Sequence, residues 1–259
     1  MSKFRMVILD NAKDQLDSPT AKKIMSDIVF IKQKNFLRSE PNYVVTDKHD
    51  MIGTHYLIYD TTDLLDPKLI FAIRTTFLTR AERHRIDTPL LSLVPRLELP
   101  LQDAFNKFKS RHKDIVDCNA WFVDPGYSKK NAGLNLSDLG YLMVCTHILR
   151  VGADHFVGCT NEKFNASRWL EHVGSMPKGL IFEHPAVKSP HMLILMENFN
   201  MEHFTKVYEE NKSLVDEIYE VIPETTKTMT GESLESFAGF AAEVYGNGVA
   251  KRREALKAA

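Results

Sequence analysis

Between Ile115 and Gly174 the hydrophobic pattern switches from a two-residue period to a helical one and back, which predicts a β-α-β-α unit. The strand Ile115–Val123 would set Val116, Cys118, Ala120 and Phe122 on one face and Ile115, Asp117, Asn119, Trp121 and Val123 on the other. The first face is apolar and suits a covering helix. The second puts polar groups beside an indole and is expected to open on a cleft. A loop with Gly126 and Gly133 follows, then a helix that Ser137 can cap and that runs to Arg150.

Upstream, Ser18-Pro19-Thr20 is a helix start. Ala21, Ile24, Met25, Ile28 and Ile31 then recur at helical spacing towards Phe36, a helix of about 18 residues. Strands are predicted over residues 43–46, 55–59 and 69–79, the last two joined by the turn-forming stretch 60–67, which together read as a meander. Residues 81–113 carry Pro89, Pro95 and Pro100 and a helix over 101–111, as a crossover over the sheet would. Apolar runs at 179–184 and 191–197, separated by a loop bearing Pro185 and Pro190, suit the far edge of a sheet, where missing backbone donors do least harm. From Met201 the pattern is helical, with Pro223 between two segments.

Composition narrows the class. A chain of 259 residues, 44% hydrophobic and 26% charged, can bury one large or two modest cores. Its net charge of -1 gives no general field for a polyanion, so nucleic acid is not expected as a partner. Cys118, Cys145 and Cys159 are odd in number and lack C-x-x-C spacing, which fits a reducing cytoplasm better than a disulfide framework. The opening residues lack the apolar stretch of a signal peptide, and no apolar run is long enough to span a bilayer. The ten histidines form no H-x-x-x-H pair, so no metal site is expected.

The loop after the strand holds Lys129, Lys130, Asn131 and Gly133 just before a helix N-terminus, where free N–H groups can receive phosphate oxygens. A plain solvated loop has the same composition. Asp117 could take a proton from an attacking nucleophile, or pair with a backbone group or with Arg74. Arg74, on an apolar strand, could bind an acceptor's carboxylate or pair with Asp50. Asn161 could orient a ligand's amides or serve a turn. Cys159, near His155 and His172, is either a thiol nucleophile or a buried, inert cysteine.

The order of elements, with Val123-Asp124-Pro125-Gly126-Tyr127, Lys130-Asn131-Ala132-Gly133-Leu134-Asn135, and Asn161 and Asn165-Ala166 before a helix ending at Gly174, resembles the GNAT superfamily of N-acyltransferases. The N-terminal half, with Phe36, Asp47-x-x-Asp50, His55-Tyr56-Leu57-Ile58 and Ala72-Ile73-Arg74, looks like the acyl-homoserine-lactone synthases and N-acyl amino acid synthases. The E-x-x-R-F of the lactone synthases is Asp117-Cys118-Asn119-Ala120-Trp121 here, which counts against lactone synthesis.

The resemblance implies an α/β (α+β) GNAT-like fold: a central mixed sheet flanked by helices over residues 1–200, with a C-terminal helical extension over 201–259. It implies an acyl carrier protein or acyl-CoA thioester as donor and a small-molecule amine, an amino acid in the first place, as acceptor. The acyl group is expected to be of medium or long chain. Asp117 and Asn161 then become catalytic candidates. Trp121, Phe122, Val123, Lys129, Lys130, Asn131, Gly133 and Ser137 become donor-binding candidates, and Arg74, Asp50 and Asn119 acceptor-binding candidates. Phe71, Phe77, Phe156, Trp169 and Phe182 could join Trp121 along an acyl tunnel or simply fill the core. Lys251-Arg252-Arg253 could dock an acidic carrier protein. A short-chain acetyltransferase and a non-catalytic acyl-ligand sensor of the same fold remain alternatives.

Overall fold

The structure is a computed structural model, and it describes residues 3–39, 45–112, 115–127, 133–153, 155–164 and 166–221. Lys129, Lys130, Asn131, Asn165 and Lys251-Arg252-Arg253 lie outside the described residues, as do residues 222–259 of the expected extension.

An eight-stranded mixed sheet organises the chain. Its strands are β1 (Phe4–Asp10), β2 (Thr54–Asp60), β3 (Lys68–Phe77), β4 (Ile115–Val123), β5 (His155–Asn161), β7 (Ile181–Glu183), β8 (Pro190–Met196) and β10 (Tyr219–Val221), in the order β10-β1-β2-β3-β4-β5-β8-β7. Strands β1 to β4 form the antiparallel meander, β4 and β5 pair parallel, and β7 lies at the far edge as expected. Two short strands, β6 (Gly174–Ser175) and β9 (Asn198–Phe199), pair apart from it.

Helices cover both faces. On one lie α1 (Pro19–Ser39) and α2 (Lys48–Ile52) at one end and, at the other, α4 (Pro89–Leu93) and α5 (Leu99–Arg111), with α3 (Leu78–Arg83) following directly on β3. The opposite face carries α6 (Leu136–Arg150), together with α7 (Ala166–Val173), α8 (Met201–Glu210) and α9 (Lys212–Val215). Helix α6 is buried on nearly every side because it lies across the middle of the sheet between β2, β3 and α8. Its cap is Asn135, whose side-chain oxygen accepts the Asp138 N–H, rather than the expected Ser137 two residues further on.

Four local expectations change. Residues 45 and 46 are not in a strand, because Asp47 and Asp50 form a reciprocal capping box that starts α2. Strand β1 was not legible from alternation: Met6, Val7, Ile8 and Leu9 are a continuous apolar run buried on both faces. Beyond Met201 two helices are followed by a strand, since Tyr219–Val221 pairs parallel with Val7–Leu9 and closes that sheet edge. Strand β3 ends at Phe77, and Leu78 begins α3.

Gly140 sets how closely α6 approaches the sheet. A Cβ there would stand 1.9 Å from the Phe71 ring, which is wholly buried. Gly140→Ala is therefore expected to destabilise the protein by about 3 kcal/mol, the upper range for overpacking a core that cannot relax. Urea unfolding monitored by tryptophan fluorescence checks this, and an unchanged midpoint would contradict it.

Candidate active site

Strand β4 does not keep one alternation along its length. Its pairing with β3 jumps from Arg74↔Asn119 to Ala72↔Phe122, so Ala120 and Trp121 together oppose a single residue, and Ala120 has φ 52°. This is a β-bulge, and it inverts the faces beyond it. Phe122 therefore joins Asp117 and Asn119 on the α1 face, against Ala72, while Trp121 and Val123 turn to the α6 face with Val116 and Cys118. The expected grouping of Trp121 with Asp117 is thus corrected. The donor candidates Trp121, Phe122 and Val123 are divided between the two sides of the sheet.

At the same place β4 and β5 part. Their pairing runs from Ile115↔His155 to Cys118↔Gly158 and goes no further, although β4 continues to Val123 and β5 to Asn161. Gly158 lets the last rung close, since a Cβ there would lie 2.5 Å from the Cys118 carbonyl oxygen. Beyond it, among the described residues, β4 is paired on its β3 side only. Backbone groups facing the gap can then bind a ligand in the manner of a missing strand.

On the α1 face an ionic chain crosses the sheet. The Arg74 Nε donates to Asn119 Oδ1 at 2.6 Å, and its Nη1 donates to Asp47 at 2.8 Å and Asp50 at 2.5 Å. Lys32 also donates to Asp50. Burial opposes ionisation in both aspartates. In Asp47 the bond from His49 and then the Arg74 charge overcome it, and in Asp50 the charges of Arg74 and then Lys32 do, so both titrate below the usual carboxylate range. Burial, and then the charge of Arg74, push the Lys32 ammonium down.

Arg74, 4% exposed, is thus tied to two carboxylates and an amide. Pairing with Asp50 is the reading the geometry favours over direct contact with an acceptor. Lys32 was missed, although it stands one helical turn after Ile28 and one before Phe36, a charge inside an apolar stripe. A shallow concavity opens here, walled by Lys32, Phe36, His55, Arg74, Ala120 and Phe122.

Asp117 is 2% exposed. One carboxylate oxygen accepts the Leu90 N–H at 2.7 Å, fixing the start of α4, and the other lies 3.5 Å from the Asn119 amide nitrogen. Burial pushes its pKa up despite the bonds from Leu90, Thr88 and Asn119. It borders a second shallow concavity beside Thr88 and Leu91.

Asn161 stands elsewhere, at the end of β5. Its side chain donates to Ser189 Oγ at 3.1 Å and accepts the Lys163 N–H at 2.9 Å, so both ends of the amide serve the turn. Burial, followed by the Asp117 charge, pushes the Cys159 thiol up to about 12, the wrong direction for a nucleophile. Among the described residues no group of three or more His, Cys, Asp or Glu is placed to hold a metal ion, and no helix is long and apolar enough to cross a membrane.

The α6 face of the parting is aromatic. Trp121, Tyr141 and Trp169 meet with ring centroids 4.6–5.4 Å apart, and Phe156 lies 6.1 Å from Tyr141. Phe71 and Phe77 pack in the same core, whereas Phe182 belongs to the cluster under α5 on the other face. Before α6, Gly133 adopts φ 72°, a conformation that suits glycine and brings the chain into the helix N-terminus.

Solved structures share this fold. BjaI, a CoA-dependent acyl-homoserine lactone synthase solved with SAM and isopentyl-CoA, superposes with a TM-score of 0.55 over 85% of this chain and 94% of its own, at 11% identity. The same enzyme with MTA gives 0.54 at 10% identity and the same coverage. The fold is that of the GNAT N-acyltransferases. FeeM, an N-acyl amino acid synthase from uncultured soil microbes, superposes less well, at 0.42 over 76% of this chain and 92% of its own with 13% identity. No family model matches the sequence. No curated protein matches it either.

Two histidines in this GNAT fold make stability depend on pH. His147 on α6 is 1% exposed, with Nδ1 bonded to the Tyr56 hydroxyl at 2.8 Å, and His55 is 2% exposed, with Nε2 against the Asp50 carbonyl at 2.8 Å. Burial lowers each pKa to about 4. Both are held neutral when folded and take up a proton near pH 6.5 when unfolded, so the unfolded state binds more protons as pH falls. Their contribution is complete above pH 6.5 and is lost down to about pH 4, by roughly 3 kcal/mol for each. His147→Gln should flatten the dependence of the urea midpoint between pH 6.5 and 4.5. An equally steep slope in the variant would assign the loss to other groups.

Proposed function

We propose that this protein is an N-acyltransferase that moves an acyl group, of medium or long chain, from a phosphopantetheine thioester to the amine of a small molecule, an amino acid in the first place. The observation that carries the reading is the parting of β4 from β5 at Cys118↔Gly158, beside the bulge at Ala120 and the ionic chain through Arg74 and Asn119. A pantetheine arm lying in the gap would pair with the free edge of β4, and its phosphate would meet the segment around Gly133 and the start of α6. Both a carrier protein and coenzyme A offer that arm.

The acceptor occupies the space beside Lys32. Because Arg74 is bonded to Asp47, Asp50 and Asn119, the acceptor's carboxylate is assigned to the Lys32 ammonium, which donates to Asp50 and has further N–H groups to offer. Arg74, Asp50 and Asn119 then act by positioning. The amine nitrogen attacks the thioester carbon, a C–N bond forms, and the carbonyl oxygen takes up negative charge against β4 N–H groups at the bulge. As the C–S bond breaks, the sulfur leaves as thiolate. The amine's proton passes through water to Asp117, whose raised pKa suits a proton acceptor, and from there returns to the thiolate.

The test is free-thiol release by the purified protein from decanoyl-CoA and from a decanoyl carrier protein, with and without a mixture of amino acids. Release that depends on the amino acids supports the reading. No release from either donor would overturn it.

A further inference from the structure

The far wall of the gap hangs on one turn. Beyond Gly158, β5 is paired only with β8 among the described residues, and its last rung is Asn161↔His191. The hairpin turn 184–189, between β7 and β8, secures that end. Ser189 Oγ accepts the Asn161 side-chain amide at 3.1 Å, and the Ser189 carbonyl accepts His191 Nδ1–H at 2.9 Å. The turn is itself closed by an imidazole, since His184 Nδ1 accepts the N–H groups of Ala186 at 3.3 Å and Val187 at 3.2 Å. Backbone bonds run alongside, from the His184 N–H to the Ser189 carbonyl at 3.0 Å and from the Lys188 N–H to the His184 carbonyl at 2.9 Å. An imidazole nitrogen that accepts carries no proton, so the ring proton of His184 is on Nε2.

We propose that His184 is a proton-operated latch on this turn and, through Ser189, on the splayed end of β5. A second proton can enter the ring only at Nδ1, where it would face the Ala186 and Val187 N–H groups and leave both without their acceptor. The groups packed against the ring do not favour that cation. The His191 ring on β8 is centred 4.7 Å away and the Phe182 ring on β7 6.2 Å away, while Arg96, shortly before α5, adds positive charge. On the hairpin itself Glu183 and Lys188 are exposed. Burial, followed by the charges of His191 and Arg96, holds the His184 pKa below its ordinary value. The turn is therefore closed at neutral pH, and its closure is lost as pH falls from about 6.5 through the lowered pKa. This latch does not rest on the acyltransfer reading, although an open turn would release one wall of the gap in which that reading places the donor.

The experiment is an NMR titration of the whole chain from about pH 7.5 to about pH 5. It follows the His184 ring nitrogens, the Asn161 side-chain amide, and the exchange protection of the Ala186 and Val187 amides corrected for intrinsic rates. At neutral pH the ring proton is expected on Nε2. Protonation of His184 is expected to lower the protection of Ala186 and Val187 about tenfold, with the Asn161 signals shifting at the same midpoint. In His184→Asn the side-chain oxygen can accept the same two N–H groups without titrating, so protection should stay level across the range. A ring proton on Nδ1 at neutral pH, or Ala186 and Val187 amides indifferent to the titration of His184, would overturn the latch, as would the same loss of protection in His184→Asn. Asn161 signals that stay fixed while the turn opens would overturn its link to β5. No thioester is present in any arm, so these results stand apart from the test of acyl transfer.

Discussion

Asp117→Asn is expected to lower kcat/KM for thioester-dependent acylation by about 10²–10⁴, the range for loss of a general base. The substitution is nearly isosteric, and its amide oxygen can still accept the Leu90 N–H that fixes the start of α4. What it removes is the capacity to take a proton in a position where burial has raised the carboxyl's pKa. The melting temperature should therefore stay within a few degrees of the wild type while turnover falls. Thiol-release kinetics beside a thermal melt separate the two effects. Full activity in a folded Asp117→Asn protein would leave this carboxylate with the purely structural task of holding α4.

Arg74→Met is expected to cost about 3–5 kcal/mol of stability, because it strands rather than replaces a buried ion pair. Arg74 sits between Asp50 and Asp47 and also holds Asn119, so its loss leaves the Asp50 carboxylate, 1% exposed, with Lys32 as its remaining counter-ion. Arg74→Lys should recover little, since a single ammonium cannot reach the amide and both carboxylates in the fork geometry that guanidinium provides. Urea unfolding measures the loss, and a midpoint within about 1 kcal/mol of the wild type would mean that the chain of charges contributes nothing net.

How far the site could be read from the sequence depended on how local each cause is. The polar face of Asp117 and Asn119 and the far edge strands follow from a two-residue period and from turn residues, which act over a few positions. The pairing of Arg74 with Asp50 followed from the need of a buried cation for a partner. Asp47-x-x-Asp50 was visible as a motif, yet its capping role was overlooked in favour of a strand.

The bulge could not be read. Ala120 gives no sign of a positive φ, which is more often the property of glycine or asparagine, and one extra residue was enough to move Trp121 and Phe122 to opposite faces. The parting of β4 from β5 is likewise a property of two strands and not of either sequence. The same holds for Tyr219–Val221, which becomes a strand because a distant segment, Val7–Leu9, offers it an edge.

Lipid extracts of a bacterial host expressing the chain, compared by mass spectrometry with extracts of the same host expressing Asp117→Asn, test the acyltransfer account most directly. The account predicts N-acyl amino acid species that appear with the wild-type chain and vanish with the variant. Extracts without any new N-acyl species, from a host whose protein also releases no thiol from either class of thioester once purified, would contradict it.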